Sequence, residues 1–565
     1  MIKRILFTLL FAVAMVTAHG QASDYDYKIL HRADTTVKAK LGSISFGSRD
    51  VRFYVYEYPS TDPDGRPVTI SGIIMAPSAI VDGSEPCDGV IMFNHATIGS
   101  PSQAPSQGGL DMPSAVLANP LRPNYIIVMS DYIGYGSSID HPVAYLSGDT
   151  NARNALDGLL AARQLFADEN IPQGKYLFNM GYSQGGTESM YAAKLCDTDA
   201  KYKSIRFSKT FAGGGMLDPE KAYEEFVRRD ECAAINDVAM FFISVNEHQH
   251  LGISYSDLFQ EPVASNVAKV IKSKDKDDLG TSGIDSLHQL LQPAYMDLKS
   301  EPAKAMREAL RTINVTNGWT PDITKQYYLE HSRHDHFVPV QCGRSIIQWM
   351  KKQGFKPSLV PGKTSLQTNM MVFKLNHQQS GIVWAIQTLA AVQFWPVVYY
   401  EGEQNRYYHD VVRDLNLIKT IKYLESWGID LRKMISESNS RSFAGDLSAA
   451  VSDGSLQPEG SVRQLSAMRR ANLVDVIIKI SDTLAKVNLT ISDFYEMLDD
   501  SGIAITDILE AYNYLTSSAS RGIDAPSLSD GQAAAPVYLL RLYEQTLADW
   551  FKLAGHDVEY ESWGW

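Results

Sequence analysis

The chain has 565 residues, 44% hydrophobic and 21% charged, a globular composition that excludes wholesale disorder and, at this length, a single ordinary domain. Its 52 basic and 65 acidic side chains give a net charge of −13, which argues against nucleic acid and anionic lipid as partners and favours solubility. At the N-terminus Lys3 and Arg4 precede an apolar run from Ile5 to Val16, and Ala18 and Gly20 offer small side chains just before Gln21. This is the pattern of a signal peptide over residues 1–20, cleaved before Gln21, and it predicts a secreted or periplasmic protein. Without Lys3 and Arg4, 50 basic and 65 acidic side chains leave a mature charge near −15. The apolar run is short for a bilayer span and no later segment is long and apolar enough to span, so no stable membrane span is expected.

Residues 51–60 ("VRFYVYEYPS") and 68–78 ("VTISGIIMAPS") alternate as strands do, with the turn cluster "TDPDGRP" between them. Residues 88–96 ("DGVIMFNHA") and 124–136 ("NYIIVMSDYIGYG") are continuous apolar runs, the signature of strands buried on both faces. Residues 149–170 place Ala152, Ala155, Leu156, Leu159 and Leu160 on one helical face. "KYLFNMGYS" (175–183) predicts a strand, "GGTESMYAAKLC" (185–196) a helix and "IRFSKTFAGGG" (205–215) another strand. That order implies a doubly wound α/β sheet, mostly parallel. Residues 218–318 turn helical and uneven and are expected as a helical lid or cap insertion. Strand character returns at 325–332 ("KQYYLEHS") and 369–377 ("NMMVFKLNH"), with a helix over 380–395. The α/β core is therefore assigned to 21–217 and 319–398. An additional α-helical C-terminal region of unknown role follows over 399–565. There Ile480-Ser481-Asp482, Ile491-Ser492-Asp493 and Ile505-Thr506-Asp507 repeat a helix-start signal. A calcium loop around Gly502 is rejected, because Met497 and Ile508 stand where carboxylates are required.

Gly181-Tyr182-Ser183-Gln184-Gly185 fits G-x-S-x-G, a strand-to-helix turn that exposes a nucleophilic serine, and a strand and a helix flank it as required. A serine hydroxyl needs an imidazole to take its proton and a carboxylate to orient that imidazole. In this topology the acid and base follow the serine in that order, each after a later strand. Asp335 in "HSRHDHFVPV" and His377 in "FKLNHQQSG" satisfy that order, with Glu330 the nearest substitute for the acid. His331, His334 and His336 precede the last strand and are misplaced for the base.

The segment from about Val90 to Trp395 resembles the secretory lipases of the Candida lipase A type, within the α/β-hydrolase superfamily. The matching stretches are "NHATIGSPSQAPS" (94–106), "SDYIGYGSSIDHP" (130–142), "GYSQGG", "NGWTP" (317–321) and "HSRHDHFVP". Two positions depart from the family: Ala96 stands where glycine is common, and Gln103 where a cysteine usually precedes "APS". The resemblance implies a helical lid over the site and hydrolysis of acyl esters. The oxyanion hole is expected from the backbone N–H of Gln184 and from Thr97, whose hydroxyl offers a second hydrogen bond. The region beyond about residue 400 lies outside the resemblance.

The reading is a secreted serine hydrolase of small-molecule acyl esters or lipids, with no cofactor and no metal, and an oligomeric state the sequence does not indicate. A serine peptidase on the same fold uses the same triad; it would need a fixed charge near the site, for which Glu224 and Glu225 are candidates. A metal-dependent hydrolase would draw on His331, His334, Asp335 and His336, with His248 and His250, but the spacing departs from the H-x-H-x-D-H pattern. A catalytically idle binding protein on this fold would usually have lost a triad member. Cys87, Cys196, Cys232 and Cys342 are too few and too widely spaced for a zinc motif and are expected to be structural, with up to two disulfides in three possible pairings.

Overall fold

The computed structural model describes residues 25–41, 44–110, 116–118, 124–358, 365–371 and 375–393. The signal peptide expected over residues 1–20 and the helical C-terminal region expected over 399–565 lie outside them. Two compact units divide the described chain: the first holds residues up to 328 together with 335–346, the second holds 329–334 and the residues from 347 onward.

The first unit is built on strands β1 (Lys28–Leu41), β2 (Ile44–Thr61), β3 (Pro67–Pro77), β4 (Gly89–Asn94), β5 (Tyr125–Ser130), β6 (Tyr176–Tyr182) and β7 (Lys209–Gly213). They lie in the order β1-β2-β3-β5-β4-β6-β7. The first three are antiparallel, with Lys28 opposite Glu57 and Val51 opposite Pro77, and β3 runs antiparallel to β5. From β5 on every pairing is parallel. The β2–β3 turn forms because Asp62 Oδ1 accepts the N–H groups of Asp64 at 2.9 Å and Arg66 at 2.8 Å, an Asx-type closure. Every residue of β4 and β5 is buried, which explains their unbroken apolar sequence.

Adjacent strands β4 and β6 send their chains to opposite sides, β4 toward β5 and β6 toward β7. Their carboxyl ends therefore flank a crevice at a topological switch point, where ligands bind in open α/β sheets. Helix α1 (Thr150–Asp168) packs on β2 and β5 and buries the predicted stripe Ala152, Ala155, Leu156, Leu159 and Leu160. It also buries Asn154 and Asp157, because Ser60 Oγ donates to Asp157 and Asn154 Nδ2 donates to Ser60, each at 2.8 Å. Helix α2 (Gln184–Thr198) follows β6 directly.

Between β7 and β8 (Tyr327–Ser332) the chain is helical, with α3 (Pro219–Arg229), α4 (Ile235–His248), α5 (Val263–Ser273) and α6 (Glu301–Thr312). α3 starts where Asp218 accepts the Lys221 N–H, and α6 where Ser300 accepts the Ala303 N–H, each with proline in the first turn. Their apolar faces meet in one core containing Phe226, Phe241, Phe242, Val267, Met306 and Leu310, and the same core takes in Tyr145, Leu146 and Met216 from the sheet's loops. A buried side chain of that size contributes roughly 2 to 3 kcal/mol through removal from water.

In the second unit β10 (Leu366–Met371) pairs in parallel with β9 (Pro357–Ser358), and Ser332 Oγ at the end of β8 donates to Leu375 O at 2.7 Å. Helix α8 (His377–Gln393) begins with a reciprocal capping box: Asn376 Oδ1 accepts the Gln379 N–H at 2.9 Å and Gln379 Oε1 accepts the Asn376 N–H at 3.1 Å. Helix α7 (Gln341–Lys352) connects β8 to β9. The α/β fold class stands. β1 and α7 are elements the sequence reading did not include, and the strand expected over 369–377 begins earlier, at Leu366.

Candidate active site

β6 ends at Tyr182 and α2 begins at Gln184, so a single residue, Ser183, makes the turn, with φ 57° and ψ −122°. A non-glycine residue in that region costs on the order of 1–3 kcal/mol and persists only where its surroundings enforce it. The Ser183 N–H donates to Gly213 O at the end of β7, 2.8 Å away. Thr187 donates through its N–H to Ser183 O at 3.2 Å, and its hydroxyl accepts the Met216 N–H at 2.9 Å. The flanking glycines answer to close backbone approach. A Cβ on Gly181 would lie 2.3 Å from Gly185 O, and one on Gly185 would lie 2.0 Å from Asn94 O. Asn94, at the end of β4, fastens the corner by donating to Asn179 Oδ1 and Ser189 Oγ, both at 2.9 Å, while Ser189 Oγ donates to Gly185 O at 2.8 Å.

Ser183 is half-exposed and faces a pocket with about 380 Å³ of free space, mouth included. Gln184 and Thr97 line the same pocket, with Tyr145, Leu146, Met216 and Phe226 among its apolar walls and Asp237 also lining it. Gln184 is the first residue of α2, where backbone N–H groups have no intrahelical acceptor and the helix dipole favours negative charge. Thr97 follows β4 in a loop held from below. His95 stacks on Tyr132 with ring centres 4.1 Å apart, and Asp131 accepts the Ser71 hydroxyl at 2.6 Å and the Ser106 N–H at 2.8 Å. Burial lowers the His95 pKa, keeping that ring neutral. Ala96 is exposed and keeps a negative φ, so no glycine is required there. Thr97 Oγ1 and the Tyr145 hydroxyl are hydrogen-bonded at 2.9 Å.

Asp335 lies in the first unit, almost fully buried. Its Oδ1 accepts the N–H groups of Phe337 at 2.9 Å and Val338 at 2.8 Å, and its carbonyl accepts from Arg229 at 3.2 Å. Phe337 and Val338 both line the Ser183 pocket. His377 belongs to the second unit, where it is the buried first residue of α8; Asn376 caps the helix. Glu330, the alternative acid, is buried in β8 in the second unit. The structure thus gathers Ser183, Gln184 and Thr97 around one pocket and sets Asp335 two and three residues before two of its wall residues, Phe337 and Val338.

Sequence reasoning missed Glu188 and Tyr145. Glu188, five residues after Ser183, is fully buried, accepts from Asn151 Nδ2 at 3.2 Å, and is pushed up to about 8, chiefly by burial. One acid among the small and apolar residues of "GGTESMYAA" was the available signal.

The cysteine expectation is corrected: all four are free thiols. Cys87 Sγ donates to Gly89 O and Cys342 Sγ to Asp218 O, each at 3.4 Å, and Cys232 and Cys342 sit in the apolar core of the helical segment. Burial pushes Cys87 and Cys232 up to about 11 and Cys196 up to about 12, so none is a ready thiolate.

The charges named for the rival readings, and the pocket-lining acid Asp237, have other employment. Glu224 pairs with Lys221 and Arg307, Glu225 with Arg228 and Arg229, and Asp237 with Lys276 at 2.6 Å. His248 hydrogen-bonds Val143 O at 3.1 Å and His250 pairs with Asp64 at 2.7 Å. Among the described residues no three His, Cys, Asp or Glu side chains converge as a metal-binding set, and no helix is long and apolar enough to cross a membrane.

Comparison with known proteins gives two results. The family model described as secretory lipase matches residues 104–203. Among solved structures, a putative hydrolase from Legionella pneumophila is similar at 18% identity, with 66% of this chain and all of that one covered and a TM-score of 0.56. The rice cell wall degrading esterase LipA from Xanthomonas oryzae is similar at 19% identity, with 65% and 97% covered and a TM-score of 0.52. Candida antarctica lipase A aligns at 12% identity, over 65% of this chain and 81% of that one, with a TM-score of 0.46. No curated protein sequence matches the chain. The fold is that of the α/β-hydrolases, and the secretory-lipase match supports a hydrolase of lipase or esterase type.

Proposed function

We propose that this α/β-hydrolase, with its secretory-lipase segment, is a serine carboxylic-ester hydrolase in which Ser183 is the nucleophile. The observation that carries the reading is the strained turn at Ser183, open to a pocket it shares with Gln184 and Thr97. Ser183 Oγ attacks the acyl carbon while His377 takes its proton, and Asp335 orients His377. The carbonyl oxygen gathers negative charge and is held by the Gln184 N–H and by Thr97. His377 then returns the proton to the departing alcohol, leaving an acyl-enzyme. Water, activated by the same imidazole, releases the acid and restores Ser183. No cofactor enters this chemistry.

The apolar pocket walls suit an acyl or aromatic group, and the pairing of Asp237, Glu224 and Glu225 with basic side chains removes the fixed charges a peptidase would use to hold a substrate amine. The helical segment 218–318 is proposed as the lid or cap on the core formed by 21–217 and 319–398. Export, with cleavage before Gln21, accords with the family's secretory character.

Hydrolysis of p-nitrophenyl esters from acetate to palmitate, alongside peptide amides, tests the reading in wild type and Ser183→Ala. Ester cleavage lost in the variant supports it, and the chain-length optimum separates esterase from lipase. Amide cleavage without ester preference would favour the peptidase, and activity that survives in Ser183→Ala but falls to a chelator would favour a metal-dependent hydrolase.

A further inference from the structure

We infer that Tyr145 is a positioning residue for the oxyanion hole, its phenol donating to Thr97 Oγ1 so that the threonine hydroxyl proton is turned toward the developing oxyanion. This inference rests on the reading of Thr97 given above.

The two oxygens are 2.9 Å apart, and both residues line the pocket that Ser183 faces. Tyr145 is buried in the apolar core of the helical segment, and among the described residues Thr97 is its only hydrogen-bond partner. A buried phenol that failed to donate would leave an unsatisfied proton in an apolar setting, which is unfavourable. Phenol is also the stronger acid of the two, so the donor direction runs from Tyr145 to Thr97. Thr97 Oγ1 accepts that proton and keeps its own, and no second acceptor for it is found among the described residues. The free O–H then points into the pocket as a donor, strengthened by the bond it receives. Burial raises the Tyr145 pKa well above its ordinary value, so the phenol remains a donor at any working pH. Tyr145 reaches this position because its ring is clamped among the side chains of the helical segment. The core of that segment therefore fixes an element of the catalytic corner.

The test is a double-mutant cycle on the full chain with one p-nitrophenyl ester, using Tyr145→Phe, Thr97→Val and the double variant. Thr97→Ser and Ser183→Ala serve as controls, and thermal unfolding verifies folding. Thr97→Val is expected to lower kcat on the order of 100-fold. Tyr145→Phe is expected to lower kcat roughly threefold to tenfold, the worth of one neutral hydrogen bond, with KM little changed. In the Thr97→Val background the Tyr145→Phe loss disappears, and in Thr97→Ser, which keeps the hydroxyl, it returns. An equal loss in both backgrounds, or a change in KM alone, overturns the relay, since Tyr145 would then act only as pocket wall. If Thr97→Val is impaired and Tyr145→Phe is not, the relay fails alone. Should Thr97→Val retain full kcat, the Thr97 reading fails and takes the relay with it, while Ser183→Ala still reports on the serine mechanism.

Discussion

The corner between β4, β6 and α2 and the helical segment between β7 and β8 hold together by different means. At the corner backbone meets backbone: Gly185 lies against Asn94 O, Gly181 against Gly185 O, and Ser183 is pinned at positive φ by Gly213. In the helical segment side chain meets side chain, with an aromatic and aliphatic core and ion pairs across its surface. Backbone contacts admit no added atom, because neither partner has a rotamer to change. Side-chain contacts can repack. The part that carries Ser183, the proposed nucleophile, is thereby rigid, and the part that walls the pocket can vary in volume.

That contrast is most sharply broken by one methyl group. Gly185→Ala is expected to cost at least about 3 kcal/mol and to abolish activity, since the Cβ would meet a carbonyl oxygen at 2.0 Å. Leu310→Met, a volume-conserving change in the helical core, should cost about 1 kcal/mol or less and keep activity. Urea unfolding with an ester assay compares the two, and equal effects would remove the distinction.

Glu188 sharpens the comparison with a charge. It is held near pKa 8 in the fold, far above a glutamate in an unfolded chain at about 4.3. Between those values the folded chain keeps a proton that the unfolded chain has released, so stability falls as pH rises through that window. Glu188→Gln removes this component: its melting temperature should gain on wild type between pH 5 and pH 8.5. Parallel curves would show that Glu188 does not titrate in this range.

The smallest effect belongs to the surface of the helical segment. Arg307 pairs with Glu220 and Glu224, and Arg311 also reaches Glu220. Arg307→Ala should cost about 1 kcal/mol or less, and less still in high salt, because these groups are partly solvated. A larger, salt-independent loss in urea titrations would show that Arg307 packs as part of the core.

What could be read from residues alone follows the same divide. Apolar runs gave β4, β5 and β6, and the glycines around Ser183 gave the elbow, because both are local patterns that steric and burial demands impose directly. β1 escaped notice because it is polar and, among the described strands, an edge strand paired only with β2, with Lys28, Arg32 and Asp34 exposed along it. Glu188 reads as a solvated helical glutamate until tertiary packing buries it, and Tyr145 as a loop tyrosine until the helical core fixes its ring. Gln184 and Thr97 were named from motif position, and the fold puts both on the Ser183 pocket. The free cysteines were not legible, since pairing depends on distances that spacing along the chain does not set.

The most direct test of the central claim is covalent labelling of the full chain with a fluorophosphonate, followed by peptide mass spectrometry. The account predicts a single adduct on the peptide carrying Ser183, stoichiometric with lost ester hydrolysis and absent in Ser183→Ala. Inactivation with the adduct on another residue, or full ester hydrolysis with Ser183 modified, would contradict it.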